Sequence, residues 1–133
     1  MRSRLHELRV DQAMSAHPVM VPGDMSLEGL AHDFMLGERH TRYPVVENGT
    51  VVGLVSLSQV KDVHRSEWPL VTVADVADRD LEAMLVSGDA TLDTVLERLA
   101  GDRPGALLVL REGLIVGILT RADVIPHVRA AGS

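Results

Sequence analysis

Apolar positions along the chain switch between a helical period and short continuous runs. After the turn-like Pro22-Gly23-Asp24, the residues Leu27, Leu30, Ala31, Phe34 and Met35 fall on one face of a helix. Ser26 stands where an N-cap belongs, and Gly37 suits the helix end. Two apolar runs follow, Tyr43–Val46 and Val51–Ser56, and the Asn48-Gly49 pair between them favours a hairpin turn. Ser58–His64 then reads as a second helix.

The whole succession returns later in the chain. Tyr43–Ser56 aligns with Leu107–Thr120 at a constant offset of 64 residues, Gly23–Leu27 aligns with Gly88–Leu92 at 65, and Val10 and Val73 open the two halves at 63. Drifts of one residue belong in loops. In the second copy Thr91 caps a helix whose stripe is Leu92, Val95, Leu96 and Leu99, closed by Gly101 and Pro104. The hairpin Leu107–Leu110, Arg111-Glu112-Gly113, Leu114–Thr120 comes next, and Arg121–Ala130 forms the last helix. With short strands at Val19–Val21 and Met84–Val86, each copy is β-α-β-β-α.

This pattern sets boundaries: an extension at 1–9, a first motif at 10–63, a linker at 64–72, a second motif at 73–128 and a tail at 129–133. Neither copy alone covers both its helices and its sheet. The expected class is therefore α+β, with the two motifs packed sheet to sheet about a pseudo-twofold axis as one module over 10–128.

Composition narrows what such a module does. Only 2% of the 133 residues are aromatic, so the core rests on aliphatic side chains. A formal charge of −6 argues against nucleic acid as a partner, because affinity for a phosphate backbone comes largely from Lys and Arg. The absence of cysteine excludes disulfides and thiolate ligands and is compatible with the cytoplasm. The longest apolar stretches, Ala106–Leu110 and Leu114–Leu119, fall far short of the roughly 20 residues of a membrane-spanning helix. Met1–Glu7 is not followed by an apolar segment and does not read as a signal peptide. The six histidines lack i, i+4 pairing, and the chain has no Gly-x-Ser-x-Gly elbow and no Gly-x-x-x-x-Gly-Lys loop. The expectation is a protein that is not an enzyme and requires no cofactor or metal.

The segments Tyr43-Pro44-Val45-Val46, Val52-Gly53-Leu54-Val55-Ser56 and Val116-Gly117-Ile118-Leu119-Thr120-Arg121-Ala122-Asp123 resemble the CBS-domain family. The resemblance covers Val10 to Val128, and its specificity lies in one ordered set appearing twice. It implies a paired regulatory unit, the Bateman module, which binds adenosine-containing ligands in clefts between its motifs and often forms homodimers.

In that family a Gly-x-x-Ser/Thr-x-x-Asp signature holds the ligand's ribose and phosphate. The second repeat carries it as Gly117, Thr120 and Asp123. A carboxylate has two acceptor oxygens for two ribose hydroxyls, and a Thr hydroxyl beside a helix N-terminus suits a phosphate. By the same resemblance Gly105-Ala106-Leu107 lies along the adenine and Met84 and Leu85 wall it, although Leu108 replaces the proline that the first repeat has at Pro44. The first repeat reads Gly53, Ser56 and Gln59, and an uncharged amide grips ribose less well. Ser56, Gln59, Arg42 and Tyr43 therefore form a weaker second cleft, and one competent cleft is expected.

A narrower resemblance joins Arg39-His40-Thr41-Arg42-Tyr43-Pro44-Val45-Val46 and Ser66-Glu67-Trp68-Pro69 to the CBS pair of some site-2-protease-type membrane zinc metallopeptidases. Their His-Glu-x-x-His helix and membrane spans are absent from this sequence. The resemblance thus implies an excised or separate regulatory part on the cytoplasmic side, with a metallopeptidase as attached or partner protein.

Plainer roles compete with these. Asp123 suits the first turn of a helix, Thr120 suits an N-cap, and Arg39, His40 and Arg42 suit a solvated face. Asp78-Arg79-Asp80 and Glu97-Arg98 suit exposed surface, and Trp68 suits an anchor for the linker. Two functions follow: an adenosine-ligand sensor of the AMP, ADP, ATP or S-adenosylmethionine class, or a structural dimerisation module with vestigial clefts.

Overall fold

A computed structural model describes residues 5–35, 42–100 and 105–131. Gly37, Gly101 and Pro104, expected at helix ends, and Arg39 and His40 of the cluster expected at Arg39, His40 and Arg42 lie outside the described residues. In chain order the elements are α1 (Val10–Ala13), β1 (Ser15–Ala16), β2 (Val21–Pro22), α2 (Leu27–Leu30) with a π-turn over Ala31–Met35, β3 (Arg42–Glu47), β4 (Thr50–Ser56) and α3 (Leu57–Lys61). A 3-10 turn at Arg65–Glu67, α4 (Val73–Val76), α5 (Leu81–Met84), β5 (Leu85–Ser87), a 3-10 turn at Leu92–Thr94, α6 (Leu96–Leu99), β6 (Ala106–Arg111), β7 (Leu114–Thr120) and α7 (Arg121–Ala131) complete it. The class is α+β. No helix among the described residues is long and apolar enough to cross a membrane.

Packing divides the chain differently from the repeat in its sequence. One compact unit is Val19–Leu81, and the other joins Met1–Pro18 to Glu82–Ser133. In the second of these the sheet order is β1-β7-β6-β5, so a strand from the start of the chain completes a sheet built at its end. Backbone bonds explain the attachment: Val10 N–H donates to Ala90 O at 2.7 Å, Asp11 N–H to Gly88 O at 3.1 Å and Leu92 N–H to Leu8 O at 2.9 Å. The Val19–Leu81 unit has the three-stranded order β2-β3-β4. There α4 is held in the same manner, with Val73 N–H donating to Met25 O at 2.8 Å and Ala74 N–H to Gly23 O at 2.9 Å.

The hairpins match the pattern read from the sequence. Asn48 and Gly49 both have positive φ (52° and 77°), as do Glu112 and Gly113 (53° and 78°), which is the conformation of a two-residue I′ turn. Both hairpins shift register at the same place, between Val45 and Val46 and between Val109 and Leu110.

The helical stripes are shorter than expected. Ser26 caps α2 through its hydroxyl, which accepts from Gly29 N–H at 3.0 Å, and Leu27 and Leu30 are fully buried. Thr91 corrects the expectation of an equivalent cap, since its side chain makes no capping bond. Instead the Thr94 hydroxyl donates back to Thr91 O at 2.6 Å, and a 3-10 turn precedes α6. Local side-chain bonds of this kind compete with regular helix. Met84 corrects a strand expectation, because it ends α5 and β5 begins at Leu85.

Each unit has its own core. Leu27, Leu30, Tyr43, Val45, Val55 and Val60 cluster in one, and Leu92, Leu99, Leu107, Val109, Leu119 and Val124 in the other. Full burial of a side chain of this size is worth about 1.5–3 kcal/mol. Trp68 packs against the first of these cores and donates its indole N–H to Val63 O at 2.9 Å, which pins the linker.

Candidate functional site

In the unit containing the second repeat, β5 and β6 are parallel and β6 and β7 antiparallel. The starts of β5 and β6 therefore meet the end of β7. Leu85 pairs with Leu108, Ala106 with Thr120 and Leu107 with Leu119. This register brings Met84, Leu85, Gly105, Ala106, Leu107 and Thr120 to one end of the sheet, where Asp123 joins them from the first turn of α7. Gly105 turns into β6 with φ +69°, a conformation that favours glycine.

Asp123 is tied at both oxygens. Its Oδ2 accepts from Thr120 N–H at 2.9 Å and from the Thr120 hydroxyl at 3.2 Å, and its Oδ1 accepts from the Ser15 hydroxyl of β1 at 3.3 Å. The carboxylate caps α7 and stays half-buried, with lone pairs left over because each oxygen carries two. Helix capping and ligand contact thus share one side chain. Leu85 is half-buried, whereas Met84, Ala106 and Leu107 are fully buried. Of the two residues expected to wall an adenine, Leu85 retains exposed surface.

The first repeat builds the equivalent end from β3 and β4, with Arg42 opposite Ser56. A cleft of about 250 Å³ opens there, lined by Arg42, Ser56, Leu57, Ser58 and Lys61. Two cations and two hydroxyls, with no carboxylate among the described lining residues, suit an anion. Gln59 does not line it: its Oε1 accepts from Ser56 N–H at 2.7 Å, and the side chain is 6% exposed. It does for α3 what Asp123 does for α7. Tyr43 is buried as well, donating its hydroxyl to Phe34 O at 2.9 Å with the two rings edge to face at 6.0 Å. Of the four residues expected in this cleft, Arg42 and Ser56 line it, and Tyr43 and Gln59 lie buried beside it.

Sequence reasoning missed Ser58 and Lys61. Their spacing, i and i+3 at the start of a helix whose cap is a signature serine, carried the signal, since such residues share a helix face. It also missed the structural job of the signature glycines. A Cβ on Gly53 would collide with the Asp78 carbonyl, and one on Gly117 with the Met14 side chain and the Ser15 carbonyl. The glycines let a neighbouring backbone segment lie against each hairpin. Among the described residues no group of three His, Asp or Glu side chains is placed to hold a metal ion.

The family model described as CBS domain matches twice, over residues 10–66 and 70–130. The chain is 36% identical over 119 residues to "Putative zinc metalloprotease Rip3" of Mycobacterium tuberculosis, covering 88% of this chain and 30% of that protein. It is 32% identical over 119 residues to "Zinc metalloprotease MJ0392" of Methanocaldococcus jannaschii, covering 89% and 31%. The chain therefore spans less than a third of the length of these curated relatives. Among solved structures, the CBS domain of the bacterial CNNM/CorC family Mg2+ transporter in complex with ATP superposes with a TM-score of 0.82 at 23% identity, over 95% of this chain and 90% of that one. On the paired match to the family model, the chain is a tandem pair of motifs belonging to the CBS domain family.

Proposed function

We propose that this CBS pair, with motifs at 10–63 and 73–128, binds an adenosine-containing ligand at the sheet end formed by Leu85, Gly105–Leu107, Thr120 and Asp123. Occupancy then controls an attached or partner protein. The observation that carries the reading is the Thr120–Asp123 pair, placed by register where β5 and β6 begin. The cationic cleft of the first repeat is a separate place suited to an anion. The ATP complex of the transporter's CBS domain supports a nucleotide as the ligand class.

The names of the relatives, and the small share of them that the chain covers, support a zinc metallopeptidase as the regulated protein; on this reading the module sits on its cytoplasmic side. A homodimer of the module would carry the signal. Control requires that the ligand bind two conformations with different affinity, and a tenfold difference amounts to about 1.4 kcal/mol.

Calorimetry with AMP, ADP, ATP and S-adenosylmethionine tests the reading. Asp123→Asn is the informative variant, because Gln59 shows that an amide oxygen keeps the helix cap while the charge is lost. Binding by the wild type and a tenfold or greater loss in Asp123→Asn are expected. No heat from any of the four ligands sinks the proposal. The rival, a structural dimerisation module with vestigial clefts, draws support from the Ser15 and Thr120 bonds that already occupy Asp123. A purified chain that is dimeric and carries no nucleotide would favour it.

A further inference from the structure

Arg98, expected on exposed surface, is half-buried on α6 and reaches away from its own helix. Its Nη2 lies 2.7 Å from Leu85 O, 3.0 Å from Ala83 O and 3.5 Å from Glu82 O. These three carbonyls belong to the last turn of α5 and the first residue of β5. A four-residue helix leaves its terminal carbonyls without partners inside the helix, and a guanidinium supplies charged donors at the negative end of the peptide dipoles. One side chain thereby fixes where α5 stops and at what angle the chain enters β5.

That junction is Met84-Leu85. Met84 is fully buried as the last residue of α5, Leu85 keeps part of its surface, and Leu85 pairs with Leu108, next to the Gly105–Leu107 segment. We infer that Arg98 is a positioning residue for the adenine-facing wall of the second-repeat cleft, touching no ligand itself. The inference rests on the nucleotide reading above and adds a residue to it. It also assigns the parts of the ligand: Arg98 acts on adenine recognition, and phosphate recognition does not depend on it.

The test uses the whole chain as wild type, Arg98→Lys and Arg98→Met, the last keeping an aliphatic stem without donors. Hydrogen exchange over Glu82–Val86 and affinities for ATP and for inorganic tripolyphosphate are measured on each. Arg98→Met is expected to speed exchange in that segment and to weaken ATP about tenfold while tripolyphosphate affinity holds, with Arg98→Lys intermediate. Equal losses for both ligands, or unchanged exchange, overturn the assignment. If the wild type binds ATP and Arg98→Met binds it equally well, this inference falls alone. If the wild type binds no nucleotide, the nucleotide reading falls and takes the inference with it.

Discussion

Glu112 occupies a left-handed backbone position, φ 53°, that its counterpart in the first repeat gives to Asn48. A Cβ crowds the following carbonyl in that region, and Asn tolerates it better than Glu. Glu112→Asn should therefore stabilise the chain by roughly 0.5 kcal/mol, seen as a higher urea midpoint at unchanged slope. A lower midpoint would contradict the turn assignment. The signature glycines give a graded prediction. At Gly53 the new methyl meets backbone, the Asp78 carbonyl carbon lying 3.2 Å away, whereas at Gly117 part of the obstruction is the flexible Met14 side chain. Gly53→Ala should cost about 2–3 kcal/mol and Gly117→Ala nearer 1 kcal/mol. The glycine contacts were not legible beforehand, because Asp78 and Met14 are remote in sequence from the glycines they press on.

Among the elements, the hairpins and the Ser26 cap were read correctly, the short strands were read with shifted ends, and the Thr91 cap was not borne out. Hairpins carry turn residues and apolar runs of four or more, so both appeared at their positions. The strands β2 and β5 have two and three residues, too short for a period, and the sequence offered nothing to tell Met84 in a helix from Met84 in a strand. The docking of α1 was equally hidden, and its hold is electrostatic in part. Asp11 is 7% exposed and bonded by Arg111 Nη2 at 2.8 Å and Arg9 Nε at 3.0 Å. Burial pushes its carboxyl up, but the hydrogen bonds and charges of Arg111 and Arg9 outweigh this and hold it below the ordinary carboxylate value. Because the folded state has the lower value, the stabilisation is present above the unfolded-state value of about 4 and is lost as pH falls through the folded one. Asp11→Asn should therefore unfold more easily than wild type at pH 7, with the gap closing as the pH drops below about 4. A gap independent of pH would show that packing, not charge, holds α1.

For the molecule as a whole, the repeat and the α+β class were visible at once, while the exchange of opening segments between the units was not, since it depends on backbone bonds such as Val10 to Ala90. Electrostatics brings the last distinction. The chain carries a net charge of −6, so its overall field repels a nucleotide, and at physiological salt that field is screened beyond about 8 Å. Attraction for phosphate must then come from cations lining a cleft, and Arg42 and Lys61 line the one in the first repeat. A second site there changes what binding experiments should record. Lys61→Gln should weaken ATP or tripolyphosphate several-fold and leave adenosine unaffected, and raising salt should imitate the substitution. Asp123→Asn should lower the affinity for ATP and adenosine alike, since both bear a ribose, and leave tripolyphosphate unaffected. If Lys61→Gln impairs adenosine as much as ATP, or Asp123→Asn impairs tripolyphosphate as much as adenosine, the two substitutions do not separate phosphate from ribose recognition, and the asymmetry between Gln59 and Asp123 has no functional meaning.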